Sequence, residues 1–96
     1  MYVLVTYDVS TADAAGRRRL AQVARLCVHY GQRVQNSVFE CSITPSQYAE
    51  LRHELETLCD ESKDTVRLYN LGNNWANRVE HIGATRPYNP DEPMIV

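Results

Sequence analysis

One run near the start of the chain leaves little choice of fold: Tyr2-Val3-Leu4-Val5-Thr6-Tyr7-Asp8-Val9. Seven of its eight residues are apolar, aromatic or β-branched, the types that suit a pleated strand. No clean polar alternation gives the run a wet side, so it reads as a strand covered on both faces. Everything else must then pack on or beside it. The exception within the run is Asp8. Removing a carboxylate from water costs on the order of several kcal/mol unless it is paired or binds a cation. What Asp8 faces is therefore the question the sequence sets. Spacing alone favours a cap on the turn or helix start at 10–13; a cation is the competing answer.

Taken in order, the chain next offers Ser10 or Thr11 as N-cap of a helix running to about Tyr30. Leu20, Val23, Ala24 and Cys27 fall at i, i+3, i+4 and i+7 and make its buried stripe. Arg18, Gln22 and Arg25 point the opposite way, with Arg17 and Arg19 on the flanks. Gly31 ends the helix as a C′ residue. Asn36-Ser37 predicts a tight turn between a short strand and a longer one carrying Phe39, Cys41 and Ile43 on one face. A single bent strand is the competing reading. Thr44, Pro45 and Gln47 form an N-cap, a first-turn proline and a capping box. Tyr48, Leu51, Leu55, Leu58 and Cys59 follow as the apolar stripe of a second helix. Residues 64–71 alternate, Val66 and Leu68 on one face, Arg67, Tyr69 and Leu71 on the other. A further short strand is expected over 78–83, then an extended, proline-rich tail over 84–96.

That order predicts an α+β fold: a ferredoxin-like βαββαβ antiparallel sheet plus a short extra C-terminal strand. Right-handed crossovers place both helices on one face. Residues 1–83 form the domain and 84–96 the tail. The uncovered face exposes Tyr2 and Leu4, or Val3 and Val5, depending on phase. A second copy closes such a face, so a two-fold homodimer is expected, the extra strand crossing to or extending the partner sheet. Two Asp8 carboxylates then meet near the axis, where they repel unless one is protonated or a cation lies between them. Mg²⁺ suits, since it takes oxygen ligands, keeps its waters and needs only one or two carboxylates. Such a centre serves phosphodiester cleavage, with Arg17, Arg19 and Arg33 as phosphate contacts.

The net charge of −2 argues against nucleic acid on its own, but the charges are segregated. Residues 1–36 carry five arginines against two aspartates, and residues 37–64 carry seven acids against Arg52 and Lys63. Of ten basic residues only Lys63 is a lysine; arginine suits bidentate recognition of phosphate. Cys27, Cys41 and Cys59 have no metal-ligand spacing and read as core residues of a cytoplasmic, reducing environment. No apolar run approaches the ~18 residues of a membrane span, so no membrane partner is expected, and no signal peptide pattern opens the chain. His29, His53 and His81 share no ligand or triad spacing, and neither a phosphate-binding glycine loop nor a nucleophile elbow is present.

Tyr7-Asp8-Val9, the arginines opening the first helix, and the run Gly31-Gln32-Arg33-Val34-Gln35-Asn36-Ser37-Val38-Phe39-Glu40 together resemble the second CRISPR-associated core family. That family is the small dimeric partner of the CRISPR integrase in spacer acquisition. The resemblance covers about residues 1–83 in element order, and 71–83 is similar to a subset found in some type I systems. It implies a ferredoxin-like homodimer in which Asp8 binds Mg²⁺ and is catalytic, with Tyr7 the aromatic of the same catalytic motif. It also implies that Arg17, Arg19, Arg33 and Phe39 serve nucleic-acid binding. The implied activities are an endonuclease on RNA or DNA, or a non-catalytic spacer holding prespacer duplex between integrase dimers. Single-stranded RNA is a second implied ligand, and the tail from 85 to 96 is the expected integrase contact. Two other readings stand beside this one: a toxin-type RNA-cleaving protein similar to the virulence-associated D family, and a small regulatory dimer that binds a metabolite.

Overall fold

The alternation along the first strand has a definite phase. In the computed structural model, which describes residues 1–83, strand β1 (Tyr2–Asp8) buries Val3, Val5 and Tyr7, and Val9 follows them inside. Tyr2, Leu4 and Thr6 are half-buried on the other face, and Asp8 at its end is exposed. The expectation of cover on both faces is corrected accordingly: within one chain β1 is covered on one. The reason is that both crossover helices, α1 (Ala14–Tyr30) and α2 (Pro45–Leu58), pack on the same side, as right-handed crossovers require. Their contribution to the core is Val23, Cys27, Leu51 and Leu55, against Phe39, Cys41 and Ile43 from the sheet.

The sheet holds β1 at its centre, between β3 (Val38–Ser42) and β4 (Thr65–Gly72), with β2 (Gln32–Gln35) outside β3; the order is β2-β3-β1-β4, all pairs antiparallel. This is the ferredoxin-like α+β arrangement. Two strands joined at Asn36-Ser37 replace the bent-strand alternative. Within one chain the segment 78–83 pairs with no described strand: it follows a 3-10 turn at Trp75–Asn77, and Ile82 is 94% exposed, so the expected extra strand would take its ladder from a second copy. A lone strand leaves its backbone groups to water and has no ladder to stabilise it. The tail over 84–96 lies outside the described residues.

The helix ends show which local signals prevail. At α2 the Thr44 Oγ1 accepts from the Gln47 N–H (3.2 Å) and the Gln47 Oε1 accepts from the Thr44 N–H (2.9 Å), the reciprocal bonds of a capping box. At α1 the cap is Asp13, not Ser10 or Thr11: Asp13 Oδ1 accepts from the Gly16 N–H at 2.8 Å. Ser10 is held elsewhere, its N–H donating to Asp64 Oδ1 at 3.1 Å. Gly31 closes α1 with extended backbone, not the left-handed conformation of a C′ glycine. Its smallness is needed for packing, because a Cβ there would run into the Glu40 carbonyl and the Cys41 sulfur.

The loop before β4 is tied to α1 by a partly buried ion pair. Arg19 Nε lies 2.8 Å from Asp64 Oδ2, with the Asp64 side chain wholly enclosed and that of Arg19 15% exposed. A second guanidinium nitrogen donates to Oδ1 at 3.3 Å, and the Asp60 N–H donates to Oδ2 at 2.9 Å. Desolvation of such a pair is offset only when hydrogen bonds satisfy the remaining lone pairs, and here they do. The Arg19 hydrogen bonds lower the Asp64 pKa from 3.8 to about 2, the Asp60 and Ser10 N–H groups adding to the effect against burial. A depressed folded-state pKa means stability present above the ordinary carboxylate range and lost as pH falls through the folded value. Urea midpoints of the wild-type protein are therefore expected to hold from pH 7 to pH 5 and fall between about pH 4 and pH 2. Asp64→Ala should lower stability at pH 7 and remove Asp64's share of the acid loss; an unchanged acid limb would refute this role of the ion pair.

Candidate functional site

Neighbouring residues of a strand point to opposite faces, and this separates the two residues expected to share a catalytic motif. Asp8 lies on the open face at the end of β1, directly opposite Thr65 of β4. Thr6 and Leu4, on the same face, lie opposite Arg67 and Tyr69 on β4 and opposite Val38 and Glu40 on β3. Arg67 is thus the diagonal neighbour of Asp8, roughly 7–8 Å away along the backbone. The Tyr2 hydroxyl donates to Glu40 Oε1 at 2.6 Å, and burial followed by the Glu40 contact pushes its pKa above the ordinary tyrosine range. Arg67 donates to the Tyr69 hydroxyl at 3.2 Å. The exposed Asp8 carboxylate accepts no hydrogen bond among the described residues. The cap reading therefore gives way: Asp13 caps α1 and Asp64 receives the Ser10 N–H, leaving Asp8 facing out.

Tyr7 faces the helices. It is 6% exposed, its ring stacks on Phe39 with centroids 6.1 Å apart, and its hydroxyl donates to the Asn36 carbonyl at 3.3 Å. Within one chain the sheet lies between its ring and the Asp8 carboxylate. Phe39 is fully buried and offers no surface to nucleic acid. The half-buried Arg33 sets its guanidinium 5.1 Å from the Phe39 ring centroid, a cation–π contact that covers this corner of the core. Arg19 is engaged in the ion pair with Asp64. Of the expected nucleic-acid residues only Arg17 is exposed, with one guanidinium nitrogen 3.4 Å from the Thr11 carbonyl oxygen. Other exposed cations are Arg18 and Arg25 on α1, Arg67 on β4, and Arg52, Lys63 and Arg78 elsewhere. Arg67 was missed as a site residue because alternation assigns it a face, whereas only the β1–β4 register brings it beside Asp8.

The cysteines behave as packing residues. Burial pushes the Cys27 thiol up to about 12 and Cys41 to about 11, and raises Cys59 as well, so none is a thiolate nucleophile near neutral pH. No three His, Cys, Asp or Glu side chains among the described residues gather into a metal cluster. On the open face of the sheet Asp8 supplies hard oxygen donors with open solvent around them. That fits a hydrated Mg²⁺, which tolerates one or two carboxylates, and one chain provides one of them. No helix among the described residues is long and apolar enough to cross a membrane.

Residues 1–79 match the model of the family described as CRISPR associated protein Cas2. The CRISPR-associated endoribonuclease Cas2 of Nitratidesulfovibrio vulgaris is 52% identical over 96 residues, covering all of this chain and 94% of that protein. The crystal structure of Streptococcus pyogenes Cas2 at pH 6.5 is similar with a TM-score of 0.75 and 59% identity, covering 86% of this chain and 100% of that one. A chain of a partial Cas6-RT-Cas1–Cas2 complex is 30% identical with a TM-score of 0.65, covering 84% and 88% of the two chains.

The two halves of the expected motif should separate in melting experiments. Asp8→Asn is expected to move the melting midpoint by no more than about 2–4 °C, as a surface substitution does. Phe39→Ala, which empties the centre of the core, should cost about 3–5 kcal/mol. A large loss in Asp8→Asn, or none in Phe39→Ala, would contradict these placements.

Proposed function

The chain belongs to the CRISPR-associated Cas2 family, and from that premise we propose that it is a spacer-acquisition protein working as a homodimer. The dimer binds duplex DNA together with the Cas1 integrase and carries an Mg²⁺-dependent phosphodiesterase centre at paired Asp8 residues. The observation that carries this reading is Asp8 itself: an exposed carboxylate, without an internal hydrogen bond among the described residues, on the uncovered face of the central strand.

That face combines Leu4, Val38 and the 40%-exposed Tyr69 with hydrogen-bonded polar groups. A second copy related by a two-fold axis suits it, because the same patch then meets itself. Each protomer brings one Asp8, and a hydrated cation relieves the repulsion between two close carboxylates. When bound, Mg²⁺ supplies Lewis-acid polarisation of the phosphodiester and acidifies water. Arg67 beside Asp8, and Arg17 and Arg18 on α1, hold phosphate oxygens through charge-assisted hydrogen bonds. The Cas1 partnership extends to this chain what the Cas1-containing complex of its structural relative displays. The endoribonuclease name of the Nitratidesulfovibrio relative makes single-stranded RNA a second substrate to assay. Three free thiols suit the reducing cytoplasm as the place of action. The family match outweighs the toxin-type and metabolite-binding alternatives. One carboxylate per chain also favours a second reading within the family, a spacer that holds duplex without cutting it.

Purified wild-type protein and Asp8→Asn, each offered duplex DNA and single-stranded RNA with Mg²⁺ or with chelator, distinguish these outcomes. The nuclease reading expects Mg²⁺-dependent cleavage that disappears in Asp8→Asn; equal cleavage by both proteins removes it. No cleavage, with duplex and Cas1 binding intact in both, leaves the spacer reading. In either case duplex affinity should fall about tenfold or more between about 50 and about 200 mM salt as counterions are released. Binding that ignores salt, or fails even with Cas1 present, overturns the DNA partnership.

A further inference from the structure

Asp64 has no place in the chemistry described above, yet its carboxylate governs the segment that follows Asp8. The register sets Thr65 directly opposite Asp8, so Asp64 stands beside the strand end. Its Oδ1 accepts the Ser10 N–H at 3.1 Å, and the same carboxylate receives Arg19 Nε at 2.8 Å from α1 and the Asp60 N–H at 2.9 Å from its own loop. Ser10 is confined from the other side too. Its carbonyl lies so close to α1 that any Cβ at Gly16 would overlap it, and the Gly16 N–H is held by Asp13. Residues 10–13 are thereby held between α1 and the loop preceding β4. Arg17 takes its position from the same loop, through the Thr11 carbonyl 3.4 Å away.

An apolar pair packs as well as a buried ion pair and costs no desolvation. What apolar groups lack is direction. Several bonds of fixed length on one carboxylate set Ser10, and so the Asp8 strand end two residues earlier, against α1. Reaction centres depend on such control, since a displacement of about 1 Å can cost on the order of a hundredfold in rate. We propose that Arg19 and Asp64 are positioning residues for the Asp8 centre, with Arg19 acting through Asp64 and not by touching phosphate. The inference rests on the Asp8 nuclease reading for its catalytic consequence, while the clasp itself is measurable without cleavage.

The test compares Arg19→Lys, Arg19→Gln, Asp64→Asn and the Arg19→Gln/Asp64→Asn double variant with wild type. Assays run at a temperature where circular dichroism shows each variant fully folded. Arg19→Gln and Asp64→Asn are each expected to lower kcat about tenfold or more, with KM and the salt slope of duplex binding unchanged. The double variant should be no worse than the worse single one, because both break one unit. Arg19→Lys, which keeps the charge and one bond, should recover part of the loss. A purely structural pair would leave kcat per folded molecule at the wild-type value, and that result overturns the proposal. So does a raised KM with a shallower salt slope in Arg19→Gln alone, the mark of a direct phosphate contact. Amide hydrogen exchange gives the readout independent of activity: residues 10–13 should exchange faster in Asp64→Asn and in Arg19→Lys than in wild type, while the β1 amides keep their protection. Unchanged exchange at 10–13 overturns the clasp. Faster exchange with a wild-type protein that cuts nothing sustains the clasp and removes the nuclease reading.

Discussion

A strand sends successive side chains to opposite faces, and the molecule is divided by that constraint. Val3, Val5, Tyr7 and Val9 go under the helices; Tyr2, Leu4, Thr6 and Asp8 go to the open side. Because the period is two, a slip of one residue would exchange the sets entirely. Burial prevents the slip: each fully buried Val gains about 1.5–3 kcal/mol over exposure, and Asp8 would lose its water. One hydrophobic preference thus fixes both the core and the surface on which chemistry is available.

The same division sorts the arginines. Arg33 covers the Phe39 ring, Arg19 is absorbed by Asp64, and Arg17, Arg18 and Arg25 remain exposed. Helical period already separates Arg18, opposite the buried stripe, from Arg17 and Arg19 on its flanks, but leaves the two flanks equivalent. A helix rotates each by about 100° from the last, which turns Arg19 toward the β4 loop and leaves the other two outside. Conversely, Arg67 gains its place beside Asp8 from strand pairing with β1, across nearly sixty residues of chain.

Several local signals were legible directly. The capping box at Thr44 and Gln47 and the turn at Asn36-Ser37 each rely on residues close in the chain, and each formed as read. The start of α1 misled because Ser10 is a good cap by type, yet Asp64, distant in sequence, takes its N–H. Gly31 misled for a related reason: its glycine answers to the close approach of β3 and not to a left-handed turn. The segment 78–83 pairs with no described strand within one chain, and its expected pairing is with the sheet of a second copy.

Sequence by itself determined the order of elements, the central strand and the prominence of Asp8, because hydrophobic period and capping chemistry are local properties of the chain. Only the tertiary structure decided which face of β1 is open, that Tyr7 and Phe39 are packed inside, and that Arg19 belongs to Asp64. Those outcomes depend on register and on groups far apart in sequence, and the energies that select them arise only when desolvation and packing act together in the folded chain. Asp8 stands where the two meet: its prominence is local, but its freedom to bind comes from Asp13 and Asp64 having taken the capping work.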